Sequence, residues 1–95
     1  MLEYLHKHIL EELEGAVDYW EKAVEHKGTE WGCKFRMMAE MELEHANAML
    51  KMMNATEKPK TVTDAAYAEM QKDVLKAYAE SMGKIEPMKK LYWKE

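Results

Sequence analysis

Residues 30–54 read EWGCKFRMMAEMELEHANAMLKMMN, and the fold turns on how that run repeats. Its spacing predicts a helix with an inward series of Trp31, Phe35, Met38, Glu42, His45, Met49 and Met52, in steps of three and four. Every member is large and apolar except the two in the middle, Glu42 and His45. Upstream, a second helix is predicted over residues 2–26. Its inward stripe is Leu5, Ile9, Glu12, Ala16, Tyr19 and Ala23, and its outer face carries Lys7, Glu11, Glu14, Asp18, Glu21 and Lys22. Only His26-Lys27-Gly28-Thr29 separates the two. Gly28 suits the residue just past a helix end, and Thr29 can cap the next helix. So short a break dictates an antiparallel helical hairpin.

Downstream, residues 55–62 with Pro59 break the pattern. Thr63-Asp64 opens a third helix with a looser stripe of Tyr67, Met70, Val74, Tyr78, Met82 and Ile85. Gly83 and Pro87 are expected to end or kink it, leaving a short aromatic and basic tail from Met88 to Glu95. The fold class is all-α: a hairpin over residues 1–54 plus a third, C-terminal helix and tail over 63–95, in one domain.

Composition agrees. The 95 residues are 47% hydrophobic and 34% charged, with only 4 Gly and 2 Pro, which suits one small helical domain and argues against disorder. Net charge is −4 with no basic stripe, so nucleic acid is not an expected partner. No apolar run reaches the roughly 18 residues that a membrane span needs, and the opening Met1-Leu2-Glu3-Tyr4 lacks a signal-peptide pattern. The single cysteine, Cys33, reads as a small helix-packing residue, and a reducing cytoplasm is the natural setting.

A carboxylate and an imidazole on core faces are costly unless they are paired or bind a cation. Glu42-Leu43-Glu44-His45 is an E-x-x-H step, so Glu42 and His45 share a helix face and can grip one ion together. In an antiparallel hairpin Glu12 falls at about the same height. Imidazole with carboxylates suits iron, manganese or zinc. Three ligands leave an ion open, whereas two hairpins across a two-fold axis would supply four Glu and two His around two ions inside a four-helix bundle. The third helix offers Glu69, Asp73 and Glu80 but no histidine. The metal-free alternative is a polar network that fixes the bundle register, in a helical interaction or accessory protein. The methionines on the stripes read as core filling. His8, one turn before Glu12, reads as a surface residue or an auxiliary ligand; His6 and His26 read as surface, and Glu40 and Glu44 as solvated.

The chain resembles the ferritin-like di-iron carboxylate proteins, whose ligand pattern is Glu-x-x-His with an upstream helical Glu. It is most similar to the encapsulated ferritins, two-helix hairpins that complete their site by dimerising. Glu11-Glu12-Leu13-Glu14 followed by Tyr19 looks like that family's first helix, and the run from Glu42 to Leu50 looks like its second. The resemblance covers about residues 8–52. It implies iron ligands at Glu12, Glu42 and His45, a hydrogen-bonding role for Tyr19 beside them, and acidic groups at Glu11 and Glu14 on the path by which iron enters. It further implies a homodimer or higher oligomer, ferroxidase activity for iron storage or detoxification, and residence inside an encapsulin nanocompartment in the cytoplasm. Two features depart from the family: Asp18 stands where a tryptophan is usual, and the ending Lys89-Lys90-Leu91-Tyr92-Trp93-Lys94-Glu95 has no Gly/Ser linker leading to a shell-docking peptide.

Overall fold

The computed structural model describes residues 1–95 as three helices and no strands: α1 (Leu2–Glu25), α2 (Glu30–Ala55) and α3 (Asp64–Trp93). Local chemistry sets the ends. Gly28 takes a φ of 83°, the left-handed conformation that closes the turn after α1. The Thr29 hydroxyl accepts from the Gly32 N–H at 3.2 Å and donates to the His26 carbonyl at 2.6 Å. A Cβ on Gly32 would lie 2.4 Å from that same carbonyl oxygen, so the tight hairpin needs a bare Cα there. Thr63 caps α3 by accepting from the Ala66 N–H at 3.1 Å.

The central element is α1, against which both α2 and α3 pack; the backbones of α2 and α3 do not meet. One side-chain bond spans them, from the Tyr78 hydroxyl to Asn47 Oδ1 at 2.6 Å. Packing on two sides widens the buried face of α1 beyond the predicted stripe. Leu13, Val17 and Trp20 are buried along with Leu5, Ile9, Ala16 and Ala23, while Glu12 and Tyr19 sit half-buried at its edge.

The predicted facing of α2 is corrected. Its buried positions are Gly32, Ala39, Ala46 and Met53, every seventh residue and one step round from the expected stripe. Three small residues let α2 lie close on α1; of the expected stripe, Phe35, Glu42 and Met49 stay half-buried while Trp31, Met38, His45 and Met52 turn outward. Trp31 is 63% exposed, Met38 40% and Met52 51%, against their places on the predicted inward series. Met38 and Met52 thus do not fill the core as read, and Met37 and Met41 are exposed as well. Cys33 is also exposed, not packed between helices.

The third helix follows its predicted stripe, with Val74 and Ile85 fully buried and Tyr67, Met70, Tyr78 and Met82 partly so. It does not stop at Gly83 or Pro87 but runs on to Trp93. An internal proline costs about 3 kcal/mol, and docking of the last turns offsets it. Tyr92 packs edge-on against Trp20 at 5.8 Å between ring centres, and the Lys27 ammonium donates to the Leu91 and Lys94 carbonyls. The expected basic and aromatic tail is therefore helix.

Two core clusters result. One, nearer the α2–α3 loop, joins Leu2, Leu5, Ile9, Leu13, Ala46, Met53 and Val74. The other, nearer the hairpin turn, joins Ala16, Val17, Trp20, Ala23, Ala39 and Ile85. Glu12, Gly15, Glu42 and His45 fall at the level where the two meet. The radius of gyration is 15.4 Å, against about 12 Å for a compact domain of this length. The molecule is an elongated slab of 52 × 19 × 15 Å, with 15 of its 95 residues buried. No helix is long and apolar enough to cross a membrane.

Candidate metal centre

The antiparallel hairpin brings Glu12 of α1 and Glu42 and His45 of α2 to one level, as their spacing predicts. His45 Nδ1 lies 3.7 Å from Glu12 Oε2, close enough for an ion pair when the imidazole is protonated but beyond a hydrogen bond. Glu12 and Glu42 are carboxyl to carboxyl. A proton shared with Glu12 raises Glu42 from 4.5 to about 7; desolvation and the charge of Glu12 push the same way, and His45 opposes them. With both acids ionised, Glu12 Oε2 is shielded from water and has no donor. An unsatisfied buried oxygen of this kind costs about 1–3 kcal/mol. A proton on Glu42 relieves it. A cation would too.

Gly15 makes the close approach of Glu42 available. A Cβ at that position would come 3.1 Å from Glu42 Oε2 and 3.3 Å from its Cδ, so the glycine opens space on α1 for the carboxyl group. Sequence reasoning passed over this residue. The signal was a glycine in the middle of an otherwise strong helix, where it costs about 1 kcal/mol relative to alanine.

The facing of the three groups differs from the expected enclosed site. Glu12 and Glu42 are half-buried, and the His45 side chain is 59% exposed, because the rotation of α2 carries position 45 outward with Trp31, Met38 and Met52. Within one chain, no three His, Cys, Asp or Glu side chains come together closely enough to hold an ion. The hairpin thus presents two carboxyl groups and an imidazole at the edge of an exposed apolar face, not a closed cage.

The other candidates are placed as follows. The Tyr19 ring stacks on Phe35 at 6.3 Å and makes no hydrogen bond to Glu12 or Glu42, so its expected bonding role is absent from the single chain. Glu11 pairs with His8 at 3.4 Å and Lys7 at 3.9 Å. Glu14 lies two residues beyond Glu12, about 200° round the helix, and lines a groove against α3. Neither acid joins the Glu12–Glu42 pair. His8 stacks with Tyr4 at 4.1 Å and stays off the site. His6, read as surface, is half-buried with Nε2 3.5 Å from Asp73 of α3, and His26 packs on Phe35 at 5.7 Å. Glu40 and Glu44 are both exposed, as expected; Glu40 also binds the Arg36 guanidinium, which lies over Trp93 at 5.2 Å.

No protein-family profile, characterised protein or solved structure matches the chain.

Proposed function

We propose that two copies of this chain pair through α1 and α2 to build a ferritin-like di-metal site that oxidises Fe(II) to Fe(III) for iron storage or detoxification. The observation that carries this reading is the forced Glu12–Glu42 carboxyl pair, with a donorless oxygen and an imidazole beside it, on an apolar face left uncovered. Two acids are held together with only the exposed His45 imidazole, 3.7 Å from Glu12, to offset them, a condition that a bound metal relieves.

The donor set fits iron, and manganese or zinc would suit the same atoms. Each copy would contribute Glu12, Glu42 and His45, so a two-fold pair offers four carboxylates and two imidazoles. Iron supplies the electrons that dioxygen or peroxide takes up. The protein supplies fixed ligand positions and negative charge. Burial under the partner would remove water from Glu12, Glu42 and His45 and strengthen every charge interaction among them. Trp31, Met38, Met41 and Met52 are the side chains available to form that cover.

A metal-free helical interaction module is the competing reading, and the lack of a complete ligand group in one chain favours it. Iron oxidation separates the two. Wild-type protein mixed aerobically with Fe(II) should form ferric product. Glu42→Ala and His45→Ala should each slow the initial rate by more than about 100-fold while the far-ultraviolet circular dichroism stays helical. Full activity in either variant contradicts the assignment.

A further inference from the structure

The aromatic and basic segment from Met88 to Glu95 takes no part in the Glu12–Glu42 site, and the fold displays one side of it. The last turns of α3 are fixed from the hairpin side. Tyr92 packs on Trp20, and the Lys27 ammonium holds the Leu91 and Lys94 carbonyls. The Arg36 guanidinium lies over the Tyr92 and Trp93 rings at 6.0 and 5.2 Å. With Ile85, Met88 and Tyr92 turned inward, the opposite face presents Pro87, Lys90, Leu91 and Lys94, with Trp93 at its edge. Leu91 is 54% exposed and Trp93 63%. Lys90 and Lys94 enter none of the nine ion pairs.

Charge is segregated toward the same end of the slab. From the level of Trp20 outward, residues 20–36 and 86–95 hold 7 of the 14 Lys and Arg but only 5 of the 18 Asp and Glu. That end carries a net +2 on a chain of −4, which leaves −6 on the rest. An anchored helix end thus shows an indole and a leucine beside free ammonium groups, on the basic end of an acidic molecule. Its complement is a surface that is anionic outside and apolar beneath.

Size selects between such surfaces. Seen end-on, the 52 × 19 × 15 Å slab offers on the order of a few hundred Å², against roughly 800 Å² per partner in a stable protein pair. A bilayer sets no such minimum, because a few side chains gain by depth. Tryptophan settles at headgroup level, and each lysine near an anionic leaflet adds about fivefold in affinity. We propose that this end of the molecule docks peripherally on an anionic lipid bilayer. Leu91 and Trp93 enter the boundary between headgroups and acyl chains, and Lys90 and Lys94 meet the anionic headgroups. The patch lies on α3, which the proposed pairing through α1 and α2 leaves open, so it does not depend on the metal centre. Trp31, exposed at the same end, belongs to the face that pairing covers and is not required.

Co-sedimentation of the full chain with vesicles, at about 100 mM salt, tests the proposal. Saturable binding is expected to phosphatidylcholine vesicles containing about 30% phosphatidylserine, and binding weaker by about tenfold or more to phosphatidylcholine alone. Lys90→Gln combined with Lys94→Gln should weaken binding to the anionic vesicles by about tenfold or more. Leu91→Ala with Trp93→Ala should weaken it by about tenfold at unchanged charge. Lys72→Gln with Lys76→Gln removes the same charge from exposed positions toward the other end of α3, and should change the affinity less than about twofold. Absence of binding to the anionic vesicles overturns the proposal. So does equal weakening by the Lys72/Lys76 control, or full binding by the Leu91/Trp93 variant, since either would mean attraction by charge alone. Oligothymidylate bound as tightly as the vesicles, and lost with Lys90 and Lys94, would assign the end to nucleic acid and overturn it as well.

Discussion

Glu42 is held against Glu12, so its proton is bound more tightly in the folded chain than in the unfolded one. Its folded value is raised from 4.5 to about 7, and the sign follows from linkage. The stabilisation is fully present below the unfolded value and is lost as pH rises through about 7. Glu42→Gln keeps a donor toward Glu12 at every pH and removes the titration. The melting temperature of the wild-type apo-protein, relative to that of Glu42→Gln, should therefore fall between pH 5 and pH 8; a constant difference would show that the carboxyls are not paired. Gly15 gives a second consequence. Gly15→Ala should gain up to about 1 kcal/mol of helix propensity, about 4–8 °C in melting temperature for a domain of this size. It should also push the Glu42 carboxyl aside, because the new Cβ would sit 3.1 Å from Oε2. Stability should rise or hold while Fe(II) oxidation falls by about tenfold or more. Unchanged oxidation would separate Gly15 from the site. That Glu12, Glu42 and His45 share one level of the hairpin was legible from an i, i+3 step and one matching helical height. The outward turn of His45 was not, because it depends on which face of α2 carries the small residues.

Helix boundaries were legible because their signals are local. Thr29 and Thr63 cap α2 and α3 as read, and Gly28 closes the turn after α1. Facing was harder. Both Trp31-Met38-Met52 and Gly32-Ala39-Ala46-Met53 repeat on α2, and a hydrophobic count favours the larger residues. Close helix packing favoured the smaller ones, with Gly32, Ala39 and Ala46 letting the backbones approach. The long α3 was misread for a related reason: Pro87 is a local breaker, and what overrides it is tertiary. Ile85 is fully buried, Tyr92 meets Trp20, and Lys27, in the turn between α1 and α2, caps the last carbonyls. None of those partners is near Pro87 in sequence. On α1, Leu13, Val17 and Trp20 were missed because a helix packed on two sides shows a stripe too broad for a single-face pattern.

The single chain is a flat three-helix slab whose two open sides differ in chemistry. One carries exposed tryptophan and methionine of α2 around Glu12, Glu42 and His45. The other carries the carboxylate-lined groove between α1 and α3. An exposed apolar stripe with half-buried acids beside it is the form expected of half an interface, and covering it with a second copy would bury both together. The third helix lies on the side of α1 facing the groove, leaving the hairpin's ligand edge free for that pairing. Sedimentation velocity under argon, with Fe(II) in excess and bound metal counted by elemental analysis of the same sample, tests this most directly. The expected result is a dimer retaining about one iron per chain. A monomer that retains no metal at saturating Fe(II) would contradict it.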